Sequence, residues 1–277
     1  MTNLTAKTFM HSMLLSIALL ACTTTKQTPK ADTSIDESVL LSQQNADAAI
    51  WYNTSAENYY LYRQTYAYAT SMLAEKLTKL KPGMPPAVVL DIDETVLDNS
   101  PYMLELVQRG ETYSEDTWDK WVSKANCNVL PGAKDFLRFC EENGVTVFYI
   151  SNRSFKLLEP TMENMNRHQL PNVDPDHVLL KQDDSDKTVR RGQVTLENNV
   201  LLYIGDNLRD FDEIFKDRSS SYGKELVKER VSEMLTQYII LPNPMYGQWQ
   251  SIFSFPKDAA PADKAKAKVK QAQPLDY

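Results

Sequence analysis

A chain of 277 residues, 42% hydrophobic and 24% charged, is long enough for one sizeable domain with a small accessory part. Its formal charge of −7 argues against nonspecific binding to nucleic-acid polymers, which draws on clustered Lys and Arg. No dinucleotide-type or P-loop glycine signature and no repeat period is present, so the common nucleotide-binding motifs and solenoid folds are excluded.

In chain order, Lys7 precedes a short apolar run, Met13–Ala21, and then Cys22. The run is too short to span a bilayer and fits the apolar region of an export signal, giving residues 1–21 as signal peptide. Leu19, Leu20, Ala21 and Cys22 resemble a bacterial lipobox, in which Cys22 is lipidated and becomes the first mature residue; an ordinary cleaved signal is the alternative. Residues 22–36 are polar and form a tether. Glu37–Leu80 is helical in pattern and dense in aromatics, among them Tyr52, Tyr62 and Tyr66, which suit either a stacking surface or the core face of amphipathic helices.

After the PGMPP run, apolar strands alternate with helical stretches. Ala87–Ile92, Val145–Ile150 and Asn199–Ile204 read as buried strands, and Ala133–Asn143 as a helix with Gly144 at its C-cap. Continuous apolar strands separated by helices predict an α/β domain with a parallel sheet over residues 37–256. The stretch 257–277, rich in Ala, Lys and Pro, reads as a disordered tail. Once Cys22 is set aside, Cys127 and Cys140 are left to pair or stay free, and spacing does not decide between them.

Each predicted strand ends in polar residues: Asp91-Ile92-Asp93, Ser151-Asn152-Arg153 and Gly205-Asp206-Asn207. Ligands in open parallel sheets bind beyond those ends, so three segments converge on one place. Asp91 and Asp93 lean to one side of an extended backbone, and Asp206 and Asp210 share a face of a helical turn. Carboxylates without His or Cys make a hard-oxygen site, suited to Mg²⁺ rather than zinc. Such a set fits phosphoryl transfer to a carboxylate nucleophile, with a second carboxyl moving the proton and Ser151 and Lys187 available for phosphate oxygens.

These residues carry a resemblance. DIDET (Asp91–Thr95), SNR (Ser151–Arg153) and GDNLRD (Gly205–Asp210) look like the motifs of the haloacid-dehalogenase (HAD) superfamily. With LDIDETVLDNSPY, PGA, FYISNR, SDKTVR, LPNPMYGQW and the lipobox, the chain resembles the class C acid phosphatases, bacterial lipoproteins of the outer surface, over Glu37–Ile252. The resemblance implies a three-layer, Rossmann-like α/β core with an N-terminal helical region and a small cap around residues 98–130. It implies Asp91 as nucleophile and Asp93 as general acid/base. Mg²⁺ would be held by Asp91, the backbone carbonyl of Asp93, Asp206 and Asp210, with phosphate bound by Ser151 and Lys187. Nucleoside monophosphates would be the substrates, with Leu97 and Tyr246 flanking the base. Trp118 and Trp121 fall in the cap and suit either the pocket or the core; Arg153 suits either a carboxylate partner or substrate. Asp98 and Asn99 read as turn residues.

The resemblance further implies a lipid-anchored enzyme of the cell envelope, on the outer membrane; a homodimer is compatible with it. One departure from the family pattern is the acidic run Asp183-Asp184-Ser185-Asp186 before Lys187, where basic residues are expected. A dehalogenase has no need of a second Asp two residues on, so Asp93 argues against that chemistry. A surface lipoprotein that only binds a nucleotide or other small ligand is the rival of a different class; the presence of Asp91, Asp93 and Asp206 argues against it.

Overall fold

The computed structural model describes Val39, residues 42–256 and residues 258–272. The signal peptide, Cys22 and the tether lie outside the described residues.

Two helices open the described chain, α1 (Ala46–Thr54) and α2 (Ala56–Thr78). Ser55 separates them and caps α2, its hydroxyl accepting from the Asn58 amide at 3.0 Å. Then come β1 (Pro86–Leu90), β2 (Leu97–Asp98), α3 (Ser100–Arg109), α4 (Glu115–Val122), β3 (Asn128–Val129) and α5 (Ala133–Glu142). The chain continues through β4 (Thr146–Ser154), α6 (Leu158–Arg167), β5 (Val178–Lys181), α7 (Thr188–Glu197) and β6 (Asn199–Gly205). It closes with α8 (Lys224–Gln237), β7 (Tyr238–Ile240) and α9 (Pro261–Gln271).

Five strands pair in parallel in the order β5-β4-β1-β6-β7. The central strand shows why its sequence is a continuous apolar run. Val88 and Leu90 point into one core, shared with Tyr62, Tyr66, Phe136 and Leu137 of α2 and α5. Ala87 and Val89 point into the other, shared with Val194 of α7. A strand buried on both faces has no polar position to alternate with. The expected three-layer α/β core is present.

Residues 98–130 leave the sheet between β1 and α5 and form the cap. Its ends meet as the small antiparallel pair β2–β3, and α3 and α4 lie between them. Helix α4 starts at a Ser114–Thr117 capping box, and α3 ends at Gly110, whose φ of +67° is the left-handed C-cap conformation. Gly132, of the PGA motif, has φ +88° and sits where a Cβ would meet the Cβ of Tyr66 at 3.0 Å, so α2 packs against bare backbone there.

Residues 261–271 correct the expectation of a disordered tail. The Ala- and Lys-rich composition that reads as low complexity is also a strong helix former, and α9 buries Ala265 against the Gln44 side chain, which donates to its carbonyl at 2.9 Å. Cys127 and Cys140 are both buried and unpaired.

Candidate active site

The carboxyl ends of β1, β4 and β6 meet under the cap at a cavity of about 460 Å³. Asp91, Asp93, Ser151, Arg153, Lys187, Asp206 and Asp210 all line it. Asp91 continues the ladder past β1, its amide donating to the Ile204 carbonyl at 2.9 Å. The chain then turns sharply, with the amides of Thr95, Val96 and Leu97 all directed at the Ile92 carbonyl. Glu94 takes φ +55° in this turn, a conformation costly for a residue with a Cβ. Two tyrosines of α2 hold the turn: Tyr62 donates to the Glu94 carbonyl and Tyr66 to the Thr95 carbonyl, both at 2.6 Å. The N-terminal aromatics therefore serve the core, and through it the loop that carries Asp91 and Asp93.

One carboxylate oxygen from each of Asp91, Asp206 and Asp210 falls within 4.8 Å of the others. Lys187 reaches into this group, its ammonium 2.5 Å from Asp91 Oδ1 and 2.7 Å from Asp210 Oδ1. Burial would lower the lysine pKa, but the charges of Asp210 and Asp91 outweigh it and raise the pKa. One ammonium does not balance three carboxylates, and among the described residues the Asp206 side chain takes only the neutral Asn243 amide, at 2.8 Å. Burial, then the charges of Asp210 and Asp91, push Asp206 well above the usual carboxylate range. An all-oxygen, charge-deficient set of this kind fits a hard divalent cation. Gly205 allows the approach of Asp210, since a Cβ there would lie 2.7 Å from the Asp210 Cβ.

Asp93 does not join the three-carboxylate group. Its Oδ1 accepts from Arg153 Nε and from Asn99 Nδ2, each at 2.9 Å, with Arg153 Nη2 in ion-pair range at 2.8 Å. Its Oδ2 accepts from the Ser151 hydroxyl at 3.2 Å. Its side chain is thus engaged elsewhere, and only its backbone carbonyl is left as a route to a metal. Arg153 resolves as the carboxylate's partner.

Leu97 corrects the expectation of a base-flanking residue. It is fully enclosed in the core beneath the cap and does not reach the cavity, because the turn after β1 points it inward. Tyr246 does line the cavity, together with Tyr102, Tyr113 and Trp118. Trp118 therefore belongs to the pocket, whereas Trp121 packs against the core and donates its indole N–H to Asn99 Oδ1 at 2.9 Å.

Several supports have little sequence signal. Arg190 of α7 donates to the Ser151 carbonyl at 2.6 Å and to Asn152 Oδ1 at 2.8 Å, and Arg191 donates to the carbonyls of Arg209 and Asp210. One helix turn thus fixes two strand-end segments, and the SDKTVR run that contains Lys187 and Arg190 is the only hint of it. In the acidic run before Lys187, Asp184 and Asp186 accept backbone amides two residues on, so they shape the turn into α7.

The family model described as HAD superfamily, subfamily IIIB (Acid phosphatase), matches residues 6–249. A solved structure of the class C acid phosphatase from Bacillus anthracis is 36% identical, covers 86% of this chain and 100% of its own, and superposes with a TM-score of 0.79. A second structure of that enzyme, with tungstate bound, is 35% identical with the same coverage and TM-score. Fold, strand-end carboxylates and sequence agree, and the binding-only reading is set aside. The chain belongs to subfamily IIIB of the HAD superfamily, the class C acid phosphatases, a family of phosphomonoester hydrolases.

Proposed function

We propose that the chain hydrolyses nucleoside 5′-monophosphates with Mg²⁺, through a phosphoryl group carried on Asp91. The observation that carries this reading is the separation of two carboxyl environments two residues apart, one buried and one half-buried. Asp91 lies among Lys187, Asp206 and Asp210, while Asp93 is turned aside to Arg153, Asn99 and Ser151. Two carboxyls so differently placed suit two roles, nucleophile and proton carrier.

Asp91 attacks phosphorus, forming an acyl phosphate as the bond to the leaving oxygen breaks, and Asp93 gives its proton to that oxygen. Water then attacks the acyl phosphate, Asp93 takes its proton, and phosphate leaves with Asp91 restored. Lys187 and the Ser151 hydroxyl supply a charge and a donor for phosphate oxygens. Asp91, Asp206 and Asp210 would hold the cation, which when bound offsets phosphate charge that would repel the nucleophile. Tungstate, held by the Bacillus anthracis relative, is a tetrahedral oxyanion of phosphate's shape, which supports an oxyanion site here. For the nucleoside part, the aromatic wall of Tyr102, Tyr113, Trp118 and Tyr246 supports a planar leaving group. We further propose that Cys22 carries a lipid anchor that places the enzyme in the cell envelope, on the outer membrane.

Phosphate release from a panel of nucleoside monophosphates, with Mg²⁺ and with EDTA, tests the reading. Turnover should require the metal and fall by at least ~10³-fold in Asp91→Asn. Metal-independent turnover, or full activity in that variant, would reject it.

A further inference from the structure

Helix α4 of the cap reaches the Asp93 carboxyl by two routes. Trp121 donates to Asn99 Oδ1, and Asn99 Nδ2 donates to Asp93 Oδ1. Three residues earlier on the helix, Trp118 lies over the Arg153 guanidinium, 5.7 Å from ring centroid to Cζ, and Arg153 Nε donates to the same oxygen. The Asn99 amide is not free to turn over. An indole N–H can only donate, so Oδ1 must face Trp121 and the NH₂ must face the carboxylate. The Cys127 thiol, 3.4 Å from Asn99 Oδ1, adds a second donor to that oxygen. Asn99, Arg153 and Cys127 are all buried, which keeps water from substituting for these bonds.

We propose that α4 is a two-armed brace that fixes the orientation of Asp93, with Asn99 as the positioning residue of one arm. The inference rests on the reading of Asp93 as proton carrier. Neither an amide NH₂ nor a guanidinium can accept a hydrogen bond, so Asp93 Oδ1, crowded by both, has no place for a proton. Among the described residues, Oδ2 meets only the Ser151 hydroxyl, which can turn to accept. The brace thus decides which oxygen carries the proton, on a residue that lines the cavity. Because Trp118 also lines that cavity, the helix that meets the leaving group is the one that aims the acid at it.

The test compares kcat/KM, which reports the phosphoryl-transfer step, for p-nitrophenyl phosphate and for glycerol phosphate. Nitrophenolate leaves without a proton; an alkoxide does not. Both substrates are assayed on the same preparation, so their ratio is insensitive to any loss of folded protein. Asn99→Ala should lower kcat/KM for glycerol phosphate about 100-fold, and for p-nitrophenyl phosphate by less than about fivefold. Trp121→Phe, which leaves only the weak Cys127 thiol donor on Asn99 Oδ1 and so loosens the amide, should give the same selectivity at about tenfold. Equal losses on the two substrates in Asn99→Ala, while Asp93→Asn remains selective, would overturn the brace alone. Equal losses in Asp93→Asn itself would overturn the acid assignment, and the brace with it.

Discussion

Burial pushes the Asp91 carboxyl up to about 7, with Lys187 pulling it down and Asp210 and Asp93 adding to the rise. Asp206 moves the same way, through burial and then its acidic neighbours. A carboxyl raised in the folded state favours the folded, metal-free protein at low pH. That contribution is lost as pH climbs from the ordinary carboxylate range, about 4, through about 7. A divalent cation must displace the Asp91 proton below about pH 7, and its competition with protons at the site weakens as pH rises. The rise in melting temperature on adding Mg²⁺ should therefore be larger at about pH 8 than at about pH 5. Thermal melts at the two pH values check this, and equal shifts would count against a site made of these carboxylates. Glu94 is pushed up as well, by burial and then by Asp93 and Asp206. Its carboxyl accepts from the backbone N–H of Asn99 at 2.8 Å, so it holds the turn rather than joining the metal group.

At the scale of elements, the loop after β1 depends on a helix distant in sequence. Tyr66→Phe removes the bond to the Thr95 carbonyl and leaves that buried acceptor short of a donor. It should cost ~1–3 kcal/mol of stability, read as a lower urea midpoint with unchanged slope. Strands β1, β4 and β6 were legible because burial on both faces leaves uninterrupted apolar runs. The edge strands β5 and β7 were not. β5 has only four residues and β7 three, and each alternates buried and more exposed positions, so neither makes a run that stands out. The strand-end carboxylates, Ser151 and Lys187 were legible as chemistry. Asn99 passed for a turn residue because Asp93, Trp121 and Cys127 meet its side chain only through folding. Leu97 was misplaced for a related reason: a motif gives order along the chain, but the turn after Asp93 decides which side chains face inward.

For the whole molecule, α9 shows how little contact is needed to order a good helix former at the periphery. It buries Ala265 and exchanges hydrogen bonds with Ser254 through Gln271, at 3.0 and 2.7 Å. Ending the chain at Pro256 should leave the sheet and turnover intact and lower the melting temperature by about 2–4 °C. Loss of turnover in that shortened chain would mean that α9 supports the Tyr246 segment, and a phosphate-release assay beside the melt distinguishes the two. The tyrosines of α2 carry a different consequence. If Cys22 anchors the enzyme to a surface, as proposed, a protease that frees it leaves a working molecule only if it cuts ahead of α2. A nick in the 79–85 connection, followed by loss of the upstream fragment, would strip Tyr62 and Tyr66 from the Asp91 loop while leaving every residue proposed for catalysis in place. Shedding and inactivation would then differ only in where the chain is severed.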